Sequence, residues 1–227
     1  MPILWNNDEE LFALARTELY TAVVGDIMDT LGARDQFLPP GIQPLTPGMR
    51  AIGRAMTVLE EDKQPDTSPS DPGNPFGQML DALDDLKPNE IYLCSGASPT
   101  YALWGELMSA RARCCGAAGA VMNGYSRDTE GILALGFPTF SLGSYAQDQA
   151  PRGTVVDFRM TLLIGGVTVQ SGDLVFADRD GVCVVPRSME VDVISRAIEK
   201  ARGEKVVLKA IQAGMSARDA FEKYRIM

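Results

Sequence analysis

Residues 104–128, WGELMSARARCCGAAGAVMNGYSRD, decide the fold class. The spacing of apolar residues predicts a helix that begins near Trp104-Gly105 and ends at Gly116. A short apolar strand, Gly119–Met122, follows and leads into the polar turn 123–128. A helix followed by a strand whose carboxyl end carries polar residues is typical of an α/β protein, in which ligands bind at that edge of the sheet.

The flanking sequence extends this pattern in both directions. Upstream, a strand is predicted at 50–59, a helix at 77–86 and a strand at 91–94; two helices, at 7–19 and 24–31, precede them. Downstream, short strands are predicted at 154–158, 161–164, 167–170, 174–177 and 182–185, with a tight hairpin turn at 178–181. The chain ends in helices within 188–227, so we expect one α/β domain over residues 1–227.

Composition excludes several classes of function. The chain has no histidine, which removes Ser-His-Asp and Cys-His catalysis and imidazole-based zinc sites. Its formal net charge is −9 and it has no basic run, so nucleic acid is not an expected partner. The four cysteines form no CxxC pair, and neither a leader nor a membrane span is apparent, so we expect a reduced, cytoplasmic protein without a membrane partner.

The proline-rich stretch 60–75, EEDKQPDTSPSDPGNP, is predicted to be a long surface loop. It is either a mobile flap near a site or a tolerated insertion. The second interpretation is favoured, because nothing in the stretch places a catalytic side chain.

Two local features could carry chemistry. Asp128 offers the hard oxygen ligand that Mg²⁺ prefers, and the adjacent Arg127 could bind an oxygen of an anionic substrate. The backbone amides that follow Gly105, at the start of the helix, could bind a carboxylate. Each feature has an ordinary alternative: Arg-Asp can be a surface ion pair, and most helix starts bind only water or their own cap.

Their arrangement favours a site. Glu106 is followed by twenty residues and then Arg127-Asp128, with one helix and one strand between them, so all three could converge at one edge of the sheet. On this pattern the sequence resembles the RraA-like family, which includes class II pyruvate aldolases acting on 4-hydroxy-4-methyl-2-oxoglutarate and 4-carboxy-4-hydroxy-2-oxoadipate. The likeness extends to TAVVGDIMDTLG, ALGFPTF, SGDLVFADRDGVCVVP and AGMSARDAFEKYRIM.

The resemblance implies a swivelling β/β/α-type fold and a role for each matching residue. Asp128 would ligate Mg²⁺ or Mn²⁺, and Arg127 would contact the keto or carboxylate oxygen of a 2-oxo acid. The backbone amides of residues 106–108, Glu106, Leu107 and Met108, would hold the pyruvyl carboxylate. The acidic position is aspartate in the aldolases and orients metal-bound water, whereas this chain has the longer Glu106.

The resemblance also implies an assembly, a homotrimer or a dimer of trimers with the C-terminal helices at the subunit interface. An acidic residue from a neighbouring subunit would complete each site, and Glu204, or less favourably Glu199, is the candidate.

The implied activity is metal-dependent cleavage of a 4-hydroxy-2-oxo acid to pyruvate and a second carbonyl compound, with oxaloacetate decarboxylation as a side activity. Two alternatives stay open. Some family members bind and inhibit an RNA-degrading endonuclease without catalysis, and the same scaffold could act as a lyase on an unrelated carboxylated substrate.

Overall fold

A computed structural model describes residues 3–63 and 74–226 of the chain, which form two compact units. Residues up to Arg34 and from Ser188 onward form a helical unit, and Asp35–Arg187 form a unit built around a β-sheet. The mixed α/β class is as predicted; the single-domain boundary at 1–227 stays a prediction.

The described part of the helical unit contains four α-helices: α1 (Asp8–Glu18), α2 (Thr21–Thr30), α6 (Glu190–Gln212) and α7 (Ala217–Tyr224). The long helix α6 packs against the other three. The side chain of Asn7 caps α1 by accepting a hydrogen bond from the Glu10 amide at 2.9 Å, as the sequence predicts. Within the described residues no helix combines the length and apolar character needed to cross a bilayer.

The second unit contains twelve strands and three helices in its described part. The strands are β1 (Gln43–Pro44), β2 (Ala51–Asp62), β3 (Glu90–Ser95), β4 (Ala102–Trp104), β5 (Gly119–Met122), β6 (Tyr125–Ser126), β7 (Thr139–Ser141), β8 (Gly153–Phe158), β9 (Leu162–Ile164), β10 (Val167–Val169), β11 (Leu174–Asp178) and β12 (Gly181–Val185). The helices are α3 (Met79–Asp85), α4 (Glu106–Cys114) and α5 (Thr129–Leu135).

The main sheet has the order β1-β7-β5-β3-β2-β11-β12, with β8 paired to the far end of β2. Its centre, β2-β3-β5-β7, is parallel, whereas β8 and β11 pair with β2 in antiparallel fashion. Strands β4 and β6 form a separate parallel pair, and β9 and β10 form a hairpin.

Side chains that alternate along β3 and β5 enter two different hydrophobic clusters. Tyr92 and Met122 pack with residues of α3, α4 and α5, whereas Ile91 and Val121 pack with residues of β9 and β10. Both faces of the sheet are therefore covered, by helices on one side and by a β-hairpin on the other. This layering explains why the central strands read as continuous apolar runs.

Two sequence predictions need correction. The predicted surface loop at 60–75 begins too early, because Glu60, Glu61 and Asp62 extend β2 and pair with β8; residues 64–73 lie outside the described part of the chain. The region around the motif also contains β4, β6 and α5, which were not predicted. Strands of two or three residues are too short to show a periodic pattern.

Gly53 lies where β2 passes the beginning of β3, and a Cβ there would lie 2.3 Å from the backbone oxygen of Asn89. We expect Gly53→Ala to lower the free energy of unfolding by about 2 kcal/mol, because two paired strands would have to move apart. Urea unfolding measures this loss. The control is Gly48→Ala, since a Cβ at Gly48 would meet no atom within 4 Å; equal stability of the two variants would contradict the predicted packing.

Candidate functional site

The start of α4 and the residues after β6 lie side by side. Because β4 and β6 pair in parallel, the Arg127 amide donates a hydrogen bond of 2.8 Å to the Trp104 carbonyl. Gly105 and Asp128, the next residue on each side, therefore meet directly. The backbone of Glu106 thus lies close to that of Arg127 and Asp128, as the sequence predicts.

Asp128 has a left-handed backbone, with φ 57° and ψ 38°, and stands at the beginning of α5 without capping that helix by its side chain. Its Oδ2 atom lies so close to Gly105 that a Cβ on residue 105 would come within 2.7 Å. The Glu106 amide donates to the same oxygen at 3.3 Å. This conformation costs a non-glycine residue roughly 1 kcal/mol, and Asn89, Arg159 and Arg225 adopt a positive φ as well.

The first turn of α4 has free backbone donors. Gly105 is the N-cap and has no side chain with which to cap the helix. Among the described residues, no acceptor is found for the amides of Leu107 and Met108. These amides stand at the positive end of the helix dipole, next to Asp128 and Arg127, and can bind a carboxylate.

Arg127 is held by two carboxylates. Its Nη1 atom lies 2.9 Å from Oδ1 of Asp148, and its Nε atom lies 3.8 Å from Oδ2 of Asp128. Because both ion pairs are partly exposed, they orient the Arg127 side chain more than they stabilise the fold. Asp148 is a site residue that the sequence analysis missed, because it lies in a loop without a recognisable motif.

The side chain of Glu106 turns toward α5. A Cβ on Gly131 would lie 2.3 Å from the Glu106 carboxyl carbon, so the absence of a side chain at residue 131 makes room for this glutamate. Glu106 is exposed and is not among the cavity-lining residues described below. The longer acidic side chain thus has a matching space one turn beyond Asp128.

A cavity of about 390 Å³ opens beside the motif, a volume within the ~300–1,000 Å³ of small-molecule sites. Its polar lining residues are Asp84, Arg111, Arg127, Asp128, Asp148 and Gln149. Its apolar walls include Phe76, Met79, Leu80, Leu83, Leu107 and Met108. Of the predicted substrate-binding residues, Gly105, Leu107, Met108 and Arg127 share one cavity with the predicted metal ligand. Glu106 does not line this cavity, and its amide, predicted to bind the pyruvyl carboxylate, donates to Asp128 instead.

The donor set at Asp128 fits a hard divalent cation. No group of three or more Asp, Glu or Cys side chains that could hold a metal occurs within residues 3–63 and 74–226. Mg²⁺, however, commonly takes only one or two protein carboxylates and keeps several waters. The Asp128 carboxylate is partly exposed and lines the cavity, so a hydrated ion can reach it.

A buried carboxyl group lies behind this cavity. Glu60 is only 1% exposed and faces the side-chain amide of Gln149. Burial raises the pKa of Glu60 to about 8; Gln149 and Lys63 offset part of the shift, and the Asp62 charge adds to it. Glu60 is therefore largely protonated at neutral pH.

The two C-terminal candidates lie in the helical unit. Glu204 accepts a hydrogen bond from the Tyr20 hydroxyl and lies 3.6 Å from Lys200, which also pairs with Asp26. Burial, and then the hydrogen bond to Glu204, raises the pKa of Tyr20. Glu199 is exposed on α6. Their predicted contribution to a neighbouring subunit stays a prediction.

Comparison with known proteins identifies the family. Residues 21–184 match the sequence model of the RraA-like family, described as Aldolase/RraA. The chain belongs to the RraA-like family. The match covers β1–β11 and nearly all of β12, and so includes the cavity and all the motif residues described above.

Relatives of this RraA-like chain carry different names. It is 27% identical over 202 residues to a Halalkalibacterium halodurans protein named "Putative 4-hydroxy-4-methyl-2-oxoglutarate aldolase", covering 88% of this chain and 89% of that one. It is 29% identical over 207 residues to Protein DlpA of Legionella pneumophila, covering 90% of this chain but only 32% of that protein, so the chain spans about a third of its length.

Two solved structures share this fold. Streptomyces coelicolor RraAS2, a member of the RraA protein family, superposes with a TM-score of 0.79 at 24% identity, and the match covers 90% of this chain and 100% of that chain. An uncharacterized protein from Pseudomonas syringae pv. tomato superposes with a TM-score of 0.84 at 27% identity, and the match covers 99% of both chains. The predicted fold class is therefore confirmed.

The buried Glu60 predicts a pH-dependent stability. Between pH about 4.5 and about 8 the folded protein holds a proton on Glu60 that the unfolded chain releases, so the free energy of unfolding falls as pH rises through this window. The wild type should lose unfolding free energy on the order of a few kcal/mol across this window. We expect Glu60→Gln to abolish this loss and therefore to be more stable than the wild type at pH 9.

Urea unfolding from pH 5 to pH 9 measures this slope. The control is Glu61→Gln, an exposed neighbour on the same strand, which should keep the wild-type slope. Equal slopes for Glu60→Gln and the wild type would contradict a raised pKa at Glu60.

Proposed function

We propose that this RraA-like chain is a divalent-metal-dependent carbon-carbon lyase that cleaves a 4-hydroxy-2-oxo acid to pyruvate and a second carbonyl compound. The observation that carries the proposal is the meeting of a free helix start, a guanidinium group and a strained carboxylate at one cavity. These are an anion site, a positive charge that can stabilise an enolate and a ligand for a cation, three of the groups that such a cleavage requires. The fourth is a proton acceptor.

The chain's own residues would bind and orient the substrate. The amides of Leu107 and Met108 would receive the carboxylate of the 2-oxo acid at the positive end of α4. Arg127, held in place by Asp148 at 2.9 Å, would donate to the 2-keto oxygen. Both interactions fix the C2 carbonyl, so that the electron pair released at C3 can be delocalised onto it.

Asp128 would hold Mg²⁺ or Mn²⁺, which when bound supplies Lewis-acid polarisation of the 2-keto oxygen. As the C3–C4 bond breaks, its electron pair passes to C3 and forms the pyruvate enolate, whose developing charge Arg127 stabilises. The C4 hydroxyl becomes a carbonyl and loses its proton. We assign that proton to the carboxylate of Glu106, the acidic position of the motif.

The same site would decarboxylate oxaloacetate. Loss of CO₂ from C3 of oxaloacetate leaves the same pyruvate enolate, so the groups that stabilise it in the aldol cleavage serve here as well. No proton acceptor for a hydroxyl is needed in this reaction.

Removal of the Asp128 charge tests the proposal. We expect Asp128→Asn to lower kcat/KM for pyruvate release in Mg²⁺ or Mn²⁺ by roughly 100-fold or more, because the variant loses the cation ligand. Coupled detection of pyruvate from a panel of 4-hydroxy-2-oxo acids measures this. Asp180→Asn, in the exposed hairpin turn after β11, is the matched control and should be fully active.

Undiminished turnover in Asp128→Asn, or no turnover of any substrate with either metal, would refute the lyase proposal. The binding-protein alternative predicts the second result. The same assay therefore separates the two functions.

The role of Glu106 has its own test in Gly131→Ala. The added methyl group would displace the flexible end of the Glu106 side chain, whereas alanine is more favourable than glycine within a helix by roughly 0.5–1 kcal/mol. We expect unchanged or slightly higher thermal stability together with a kcat for aldol cleavage lowered about tenfold.

Oxaloacetate decarboxylation provides the internal control for Gly131→Ala, since that reaction needs no proton acceptor. It should change less than aldol cleavage. Equal losses in both reactions would mean that Glu106 does not accept the proton.

A further inference from the structure

Arg111 is a second guanidinium group in the described lining of the cavity, and the proposed function does not use it. It lies on α4, four residues after Leu107 and three after Met108, so the three side chains share one face of the helix. All three line the same cavity. The cavity thus has a positive group one helical turn beyond the amides that would receive the carboxylate of the 2-oxo acid.

The ion pair of Arg111 leaves part of its guanidinium group available. Its Nε atom donates to Oδ1 of Asp84 at 2.7 Å, and among the described residues no partner is found for Nη1 or Nη2. The side chains of Arg111 and Asp84 are 48% and 69% exposed, so the pair contributes little to stability. The Nη1–Nη2 edge keeps two parallel N–H donors, which is the geometry that binds both oxygens of a carboxylate.

The spacing along α4 matches the length of a short diacid. The four residues from Leu107 to Arg111 rise about 6 Å along the helix, and an arginine side chain in a helix leans back toward the N-terminus. The two carboxylate carbons of an extended five-carbon 2-oxo diacid lie about 5 Å apart at ordinary carbon–carbon bond lengths. A diacid whose first carboxylate lies at the amides of residues 107 and 108 therefore has its second carboxylate within reach of Arg111.

From these observations we infer that Arg111 binds a second substrate carboxylate, attached to C4, and so selects 4-hydroxy-2-oxo diacids over the corresponding monoacids. This inference rests on the proposed lyase function and adds a specificity residue to it. Arg127 and the cation at Asp128 serve the 2-oxo end of the substrate, and Arg111 serves the C4 end, with Asp84 on its Nε atom to orient it. Because C4 becomes the new carbonyl carbon, the second product is itself a 2-oxo acid.

Binding of two inert analogues tests the inference without turnover. 2-Oxoglutarate and 2-oxopentanoate differ only in a carboxylate or a methyl group at C4, and neither has a C4 hydroxyl to cleave. Isothermal titration calorimetry in the presence of Mg²⁺ measures both dissociation constants. We expect the wild type to bind 2-oxoglutarate roughly tenfold or more tightly than 2-oxopentanoate, because a hydrogen-bonded charge pair is formed only with the diacid.

Removal of the Arg111 charge should abolish this preference. We expect Arg111→Gln to weaken binding of 2-oxoglutarate by roughly tenfold and to leave that of 2-oxopentanoate unchanged, which also shows that the variant is folded. Arg113→Gln is the matched control, since it removes the same charge from the same helix. Arg113 donates to the Leu135 carbonyl at 2.7 Å and is not among the cavity-lining residues, so its variant should keep the wild-type ratio.

Four results would overturn the inference. The wild type could bind 2-oxopentanoate as tightly as 2-oxoglutarate, or bind neither analogue. Arg111→Gln could keep the wild-type ratio of the two constants, or lose both analogues equally. A shift of the ratio in Arg113→Gln as large as that in Arg111→Gln would also overturn it, because the effect would then come from the net charge of the helix and not from a contact.

Failure of the proposed function gives a different result. Pyruvate release is measured from 4-hydroxy-2-oxoglutarate and from 4-hydroxy-2-oxopentanoate, which again differ only in a carboxylate or a methyl group at C4. If the protein is a lyase but Arg111 does not bind the second carboxylate, the ratio of the two kcat/KM values is the same in the wild type and in Arg111→Gln. If the protein is not a lyase, neither compound releases pyruvate, whatever the analogues bind.

Discussion

The hydrogen bond from the Arg127 amide to the Trp104 carbonyl, at 2.8 Å, is the contact on which the site depends. It closes the short parallel pair β4–β6 and sets the start of α4 against the start of α5. Trp104 itself is fully buried, and its indole nitrogen donates to Ser109 at 2.7 Å inside the first turns of α4. The buried Trp104 therefore holds the β4–β6 pair in place, and this pair positions the partly exposed side chains of Arg127 and Asp128.

The consequence is a close approach between Gly105 and Asp128. Gly105 has no side chain, so the Asp128 carboxylate can lie over its Cα and accept from the Glu106 amide. Asp128 has a left-handed backbone, and aspartate tolerates that conformation better than most residues. The strain is small compared with the burial of the surrounding core, so the fold can maintain it.

Much of this arrangement follows from the sequence. Gly119–Met122 forms β5 as predicted, and the twenty residues between Glu106 and Arg127 cover one helix and one strand that return the chain to the same edge. Asp148 could not be predicted, because its contact with Arg127 depends on the path of the chain after β7. Glu60 was misplaced because its acidic, proline-rich surroundings resemble a loop, whereas it extends a strand into the core. The space for Glu106 beside Gly131 likewise depends on tertiary contact.

Whether the close approach of residues 105 and 128 creates a cation site can be measured directly by titration with Mn²⁺, followed by electron paramagnetic resonance. The wild type should bind one Mn²⁺ per chain. Gly105→Ala should lose that binding while it keeps the circular dichroism spectrum of the wild type, because the new methyl group would displace the Asp128 carboxylate. Equal Mn²⁺ binding by the two proteins would contradict the assignment of Asp128 as the ligand held by this contact.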